Sequence, residues 1–71
     1  MSLRVKKEDL SEPETFIAKA KVAGMTFVTD DGERFFLVQF GDNYPEDCVS
    51  LTEYDLRREF ARRSDPAFNY L

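Results

Sequence analysis

The sequence predicts an α+β fold: a small antiparallel sheet of three or four strands, with a hairpin over residues 25–40 at its centre and a C-terminal helix packed on one face. Three observations predict it. An Asp-Gly corner separates two runs rich in aromatic and β-branched residues. A threonine-capped amphipathic segment follows residue 52. The length of 71 residues supports one domain over 1–71 and no second core, while 42% hydrophobic residues, with seven Phe and three Tyr, separate the chain from disordered sequences.

The N-terminal Met1–Lys7 stretch has basic residues but no apolar run behind them, so it does not read as a signal peptide. The segment 12–23 reads as strand or helix. Ser11-Glu12-Pro13-Glu14 has a capping-box pattern, Gly24 is a suitable stop, and the alanines favour helix. Phe16, Ala18, Ala20 and Val22 nevertheless alternate with Ile17, Lys19 and Lys21, and such a strand would extend the apolar face of the hairpin. That agreement favours the strand.

The hairpin pairs Met25–Thr29 with Arg34–Phe40. With Asp31-Gly32 as a two-residue loop, Phe27 faces Phe36, Val28 faces Phe35 and Met25 faces Val38. One side then carries Met25, Phe27, Phe36, Val38 and Phe40, all apolar, and lies under the final helix. The other side turns Val28, Phe35 and Leu37 outward. Cys48-Val49-Ser50-Leu51 forms a short strand, and Thr52 caps a helix running to about Arg63, with Leu56 and Phe60 on its apolar stripe and Ser64-Asp65-Pro66 as its stop. The terminal Ala67-Phe68-Asn69-Tyr70-Leu71 is a candidate cover for the outer side of the hairpin, or an apolar peptide offered to a partner.

Composition removes most catalytic readings. Without histidine there is no Ser-His-Asp or Cys-His nucleophile system and no imidazole-ligated zinc. A single cysteine rules out an intramolecular disulfide and multi-cysteine metal sites, and Cys48 reads as a small buried residue. The three glycines fall in no phosphate-cradling spacing. Gly41–Asp47 is rich in oxygen ligands but lacks the calcium-loop spacing, so it reads as a polar connection. An enzyme using paired carboxylates such as Asp42 and Asp47 has no further support. The reading is therefore non-catalytic, with no cofactor and no metal.

Charge is segregated along the chain. The net charge of −4 conceals a run over residues 30–55 with eight acidic groups against Arg34 alone. The favoured function is that of a small acidic interaction or regulatory protein, an adaptor or inhibitor of a larger basic protein. Val28, Phe35 and Leu37 form its apolar contact, and Asp30, Asp31, Glu33, Asp42, Glu46 and Asp47 its charged rim. The exposed hairpin side would also suit self-association as a homo-oligomer. The alternative is a nucleic-acid-binding module using Arg57, Arg58, Arg62 and Arg63, which a pI near 4.7 disfavours. The longest apolar run, Phe35–Val38, is far below the about 20 residues a membrane span needs. The expectation is a soluble cytoplasmic protein without membrane contact, of a kind compatible with phage or plasmid origin.

Overall fold

The computed structural model describes residues 2–65. The elements are β1 (Leu3–Arg4), a 3-10 helix (Lys7–Ser11), α1 (Pro13–Val22), β2 (Thr26–Val28), β3 (Arg34–Gln39), β4 (Cys48–Thr52) and α2 (Glu53–Ser64). The class is α+β, as the sequence predicts, but the sheet is mixed rather than purely antiparallel.

β3 is the axis of the sheet. β4 pairs antiparallel along one of its edges, from Phe35↔Thr52 to Gln39↔Cys48. β2 pairs antiparallel with its first half and β1 pairs parallel with its end, through Leu3↔Val38 and Arg4↔Gln39. Leu37 N–H bonds to the Met25 carbonyl and Val5 N–H to the Gln39 carbonyl, so odd-numbered residues of β3 serve the edge shared by β2 and β1.

Segment 12–23 is helical over Pro13–Val22, against the strand reading. Its buried residues are Phe16, Ile17 and Ala20, which is helical spacing, while Ala18, Lys19, Lys21 and Val22 are exposed. The apparent alternation arose from small or solvent-facing residues; Val22 is 91% exposed. Proline in the first turn starts α1. A Schellman arrangement ends it: Met25 N–H bonds to the Ala20 carbonyl (3.0 Å), Gly24 N–H to the Lys21 carbonyl (3.2 Å), and Gly24 sits at φ +73°.

The hairpin register differs from expectation by one residue. Thr29 and Glu33 bracket a three-residue loop, Asp30-Asp31-Gly32, with Thr29 N–H on the Glu33 carbonyl and Gly32 N–H on the Thr29 carbonyl, both at 2.9 Å. Gly32 takes φ +88°, whereas Asp31 does not enter the positive-φ region that a two-residue loop of this type requires at both positions. The extra loop residue turns β2 over. Phe27 pairs with Phe35 on the outer face, Met25 falls opposite Leu37, and Val28 pairs with Arg34 on the helix side.

Both helices cover the same face. Phe16, Ile17 and Ala20 of α1, Phe36 and Val38 of β3, and Leu56 and Phe60 of α2 form one buried cluster. Phe60 is its hub: its ring lies 5.2 Å from Phe16 and 6.0 Å from Phe40, both edge-on. The Thr52 hydroxyl accepts from Asp55 N–H at 3.1 Å, so α2 begins where its cap predicts. Cys48 is half-buried rather than buried, with its sulfur 3.1 Å from the Ser2 hydroxyl.

Phe60→Ala should cost about 3–5 kcal/mol, a large part of the roughly 5–15 kcal/mol typical of a folded domain. Thr52→Ala should cost only about 1 kcal/mol. Urea titrations followed by circular dichroism measure both; equal losses would contradict the packing described.

Candidate functional site

The face of the sheet opposite the helices is open among the described residues. On β3 it presents Phe35 and Leu37, both half-buried, and on β2 the neighbouring Phe27, which is 43% exposed. The Phe27 and Phe35 rings stack with centroids 5.3 Å apart and planes 11° apart. β4 adds Cys48, Ser50 and Thr52 by register. Tyr44 and Pro45 of the β3–β4 connection flank a shallow depression floored by Leu37, Cys48 and Ser50. None of the sheet positions Phe27, Phe35, Leu37, Cys48, Ser50 and Thr52 carries a formal charge.

Phe35 and Leu37 thus lie on the outer face of the sheet, as the alternation of β3 predicts, and Val28 does not. Val28 is 51% exposed, but beside Arg34 on the helix side of the sheet margin. Phe27 takes its place on the outer face. Reading Asp30-Asp31-Gly32 as a three-residue loop with glycine in the left-handed position would have identified it. The segment Ala67–Leu71, expected to fold over this face, lies outside the described residues.

The acidic candidates divide into two groups. Asp30, Asp31 and Glu33 occupy the β2–β3 turn; Asp42, Glu46 and Asp47 occupy the β3–β4 connection at the other end of β3, roughly 20 Å away at about 3.3 Å per residue. Three of them have structural work. The Asp31 carboxylate accepts from the Thr29 hydroxyl and from Glu33 N–H, hydrogen bonds that hold its pKa below the usual carboxylate value. Asp42 pairs with Arg4, and Asp47 accepts from Asn43 N–H at 3.0 Å. The Asp30, Glu33 and Glu46 side chains have no hydrogen bond or ion pair among the described residues.

The four arginines of α2 are engaged within the molecule. Arg57 grips both Glu14 oxygens across the helix pair (2.6 and 2.8 Å) and also reaches Glu53 at 2.8 Å. Glu53 lies 3.7 Å from Lys21, so the chain of charges ties α1 to α2. Arg62 and Arg63 both donate to Glu59, and Arg63 lies 4.1 Å above the centre of the Phe40 ring. Arg58 stands 5.9 Å from the Tyr54 ring, and not on Asp55 as the helical spacing would allow. Among the described residues no group of three or more Cys, Asp or Glu is placed to hold a metal ion, and no helix is long and apolar enough to cross a membrane.

No protein-family model, no curated protein and no solved structure matches this chain.

The Arg57 hydrogen bonds hold the Glu14 carboxyl below its ordinary value of 4.5, and those of Arg62, then Arg63, do the same for Glu59. A carboxyl depressed in the folded state stabilises above its ordinary pKa and loses that contribution as pH falls through the folded value. Glu14→Gln should therefore be less stable than the parent at neutral pH, with the gap closing as pH drops below 4.5. Urea midpoints across pH measure this; a gap independent of pH would contradict the ion pair.

Proposed function

We propose that this chain is a non-catalytic interaction protein, an adaptor or inhibitor that binds a larger basic protein through the outer face of its sheet. The observation that carries the reading is the Phe27–Phe35 stack with Leu37, an apolar centre that neither helix covers. Its setting supplies the partner's chemistry. Asp30 and Glu33 at one end and Glu46 at the other leave carboxylates without partners among the described residues, on either side of an uncharged strip. The complementary surface is an apolar ridge with lysines or arginines at both ends, roughly 20 Å apart. The apolar centre would supply affinity, and the charged ends approach and register.

The nucleic-acid alternative through α2 has less support. A polyanion would have to compete with Glu14 and Glu53 for Arg57, and with Glu59 for Arg62. The net charge of −4 opposes its approach.

The test compares immobilised wild-type protein with the Phe27→Ser/Phe35→Ser and Arg58→Glu/Arg62→Glu pairs, using lysate from the native host. A basic protein should be retained by the wild type and by the arginine variant, lost by the phenylalanine variant, and released progressively as salt is added. Retention of nucleic acid that disappears in the arginine variant would contradict it. So would an unchanged catch on the phenylalanine variant.

A further inference from the structure

A second surface lies along the edge of β4 that no strand pairs among the described residues. Phe40 N–H bonds to the Asp47 carbonyl, so odd-numbered residues of β4 turn their backbone groups toward β3. Leu37↔Ser50 is then a non-hydrogen-bonded pair, and Ser50 directs both its N–H and its carbonyl away from the sheet. The outward N–H of Thr52 and the outward carbonyl of Cys48 follow from the same alternation. The Cys48 N–H is already held by the Pro45 carbonyl at 3.0 Å. Proteins usually blunt such an edge with charge, proline or a bulge. Cys48-Val49-Ser50-Leu51-Thr52 contains no charge or proline, and its pairing with β3 runs without a bulge.

The side of α2 next to this edge carries a charge pattern that selects the occupant. Asp55, Arg58, Glu59 and Arg62 line a groove with Leu51 of β4, in the order acid, base, acid, base. That order is self-complementary when reversed. An antiparallel second copy sets Asp55 against Arg62 and Arg58 against Glu59, each pair formed twice. The Asp55 carboxylate has no partner among the described residues, and Arg58 has only the Tyr54 ring.

The two symmetry centres coincide closely. α2 folds back antiparallel to β4 and brings Phe60 and Arg63 to Phe40. Ser50 lies about 7 Å from Thr52 along the strand, and the midpoint of Arg58 and Glu59 about 10 Å along the helix, an offset that arginine side chains span.

We infer that two copies of this chain pair β4 to antiparallel β4 about a two-fold axis at Ser50, forming one continuous sheet with the α2 charges interlocked beside it. Each Ser50 N–H donates to the other Ser50 carbonyl, and each Thr52 N–H donates to the other Cys48 carbonyl. This interface uses none of Phe27, Phe35 or Leu37, and it stands or falls separately from partner binding through them.

Light scattering and sedimentation equilibrium on the full chain test the inference. The wild type should have twice the 8.3 kDa chain mass. Ser50→Pro removes an outward N–H without touching the β3 ladder, so it should keep the parent's circular dichroism and associate at least about tenfold more weakly. Asp55→Lys and Arg62→Glu should each be monomeric alone, because like charges then face each other across the axis, and should form a dimer when mixed. A wild type that stays monomeric at millimolar concentration overturns the inference and leaves the edge to a foreign strand. A dimer unchanged by Ser50→Pro, or the absence of a mixed dimer, also overturns it.

Discussion

Everything in this molecule is arranged around β3, a strand bonded along both edges but buried on one face only. Phe36 and Val38 point into the layer made by Phe16, Ile17, Ala20, Leu56 and Phe60. Two helices are needed to seal that layer, and both are spent on the same side. A chain of 71 residues has a high ratio of surface to volume and supports a single buried layer. Among the described residues nothing covers the second face, where Phe27, Phe35 and Leu37 lie. The open face follows from the economy of a small fold, and so does the edge of β4 left unpaired among the described residues.

The parts legible in the sequence were those fixed by local chemistry. Thr52, Leu56 and Phe60 define α2 through a cap and a four-residue spacing, and the helix ends at Ser64 as its stop residues imply. The hairpin was legible as a hairpin, but its register was not. Two- and three-residue loops share an Asp-Gly signature, and the choice rests on whether Asp31 adopts positive φ or uses its carboxylate to bind Thr29 and Glu33 N–H. It takes the second course. In 12–23 the alternation of Ala18, Ala20 and Val22 with lysines gave a strand period that burial does not follow, since only Ala20 of the three is buried. β1 was missed because two residues carry no periodicity, and its parallel pairing with β3 is set by tertiary contacts alone.

The site shows the same division. Phe35 and Leu37 were readable from the alternation of β3 itself, whereas Phe27 and Val28 exchanged faces because their parity is inherited from the loop. Neighbouring acids in the sequence became two clusters because β3 runs between them. The pairing of Arg57 with Glu14, far away in the chain, was not readable because it is made by the packing of α1 on α2.

The most direct measurement of the central claim is aromatic proton NMR of the free chain with a neutral soluble paramagnetic probe. The Phe27 and Phe35 ring signals should broaden strongly and show a ring-to-ring contact with each other, while Phe16, Phe36 and Phe60 should be protected. Equal protection of all five rings, or a Phe27–Phe36 contact in place of Phe27–Phe35, would contradict the register and the open face together.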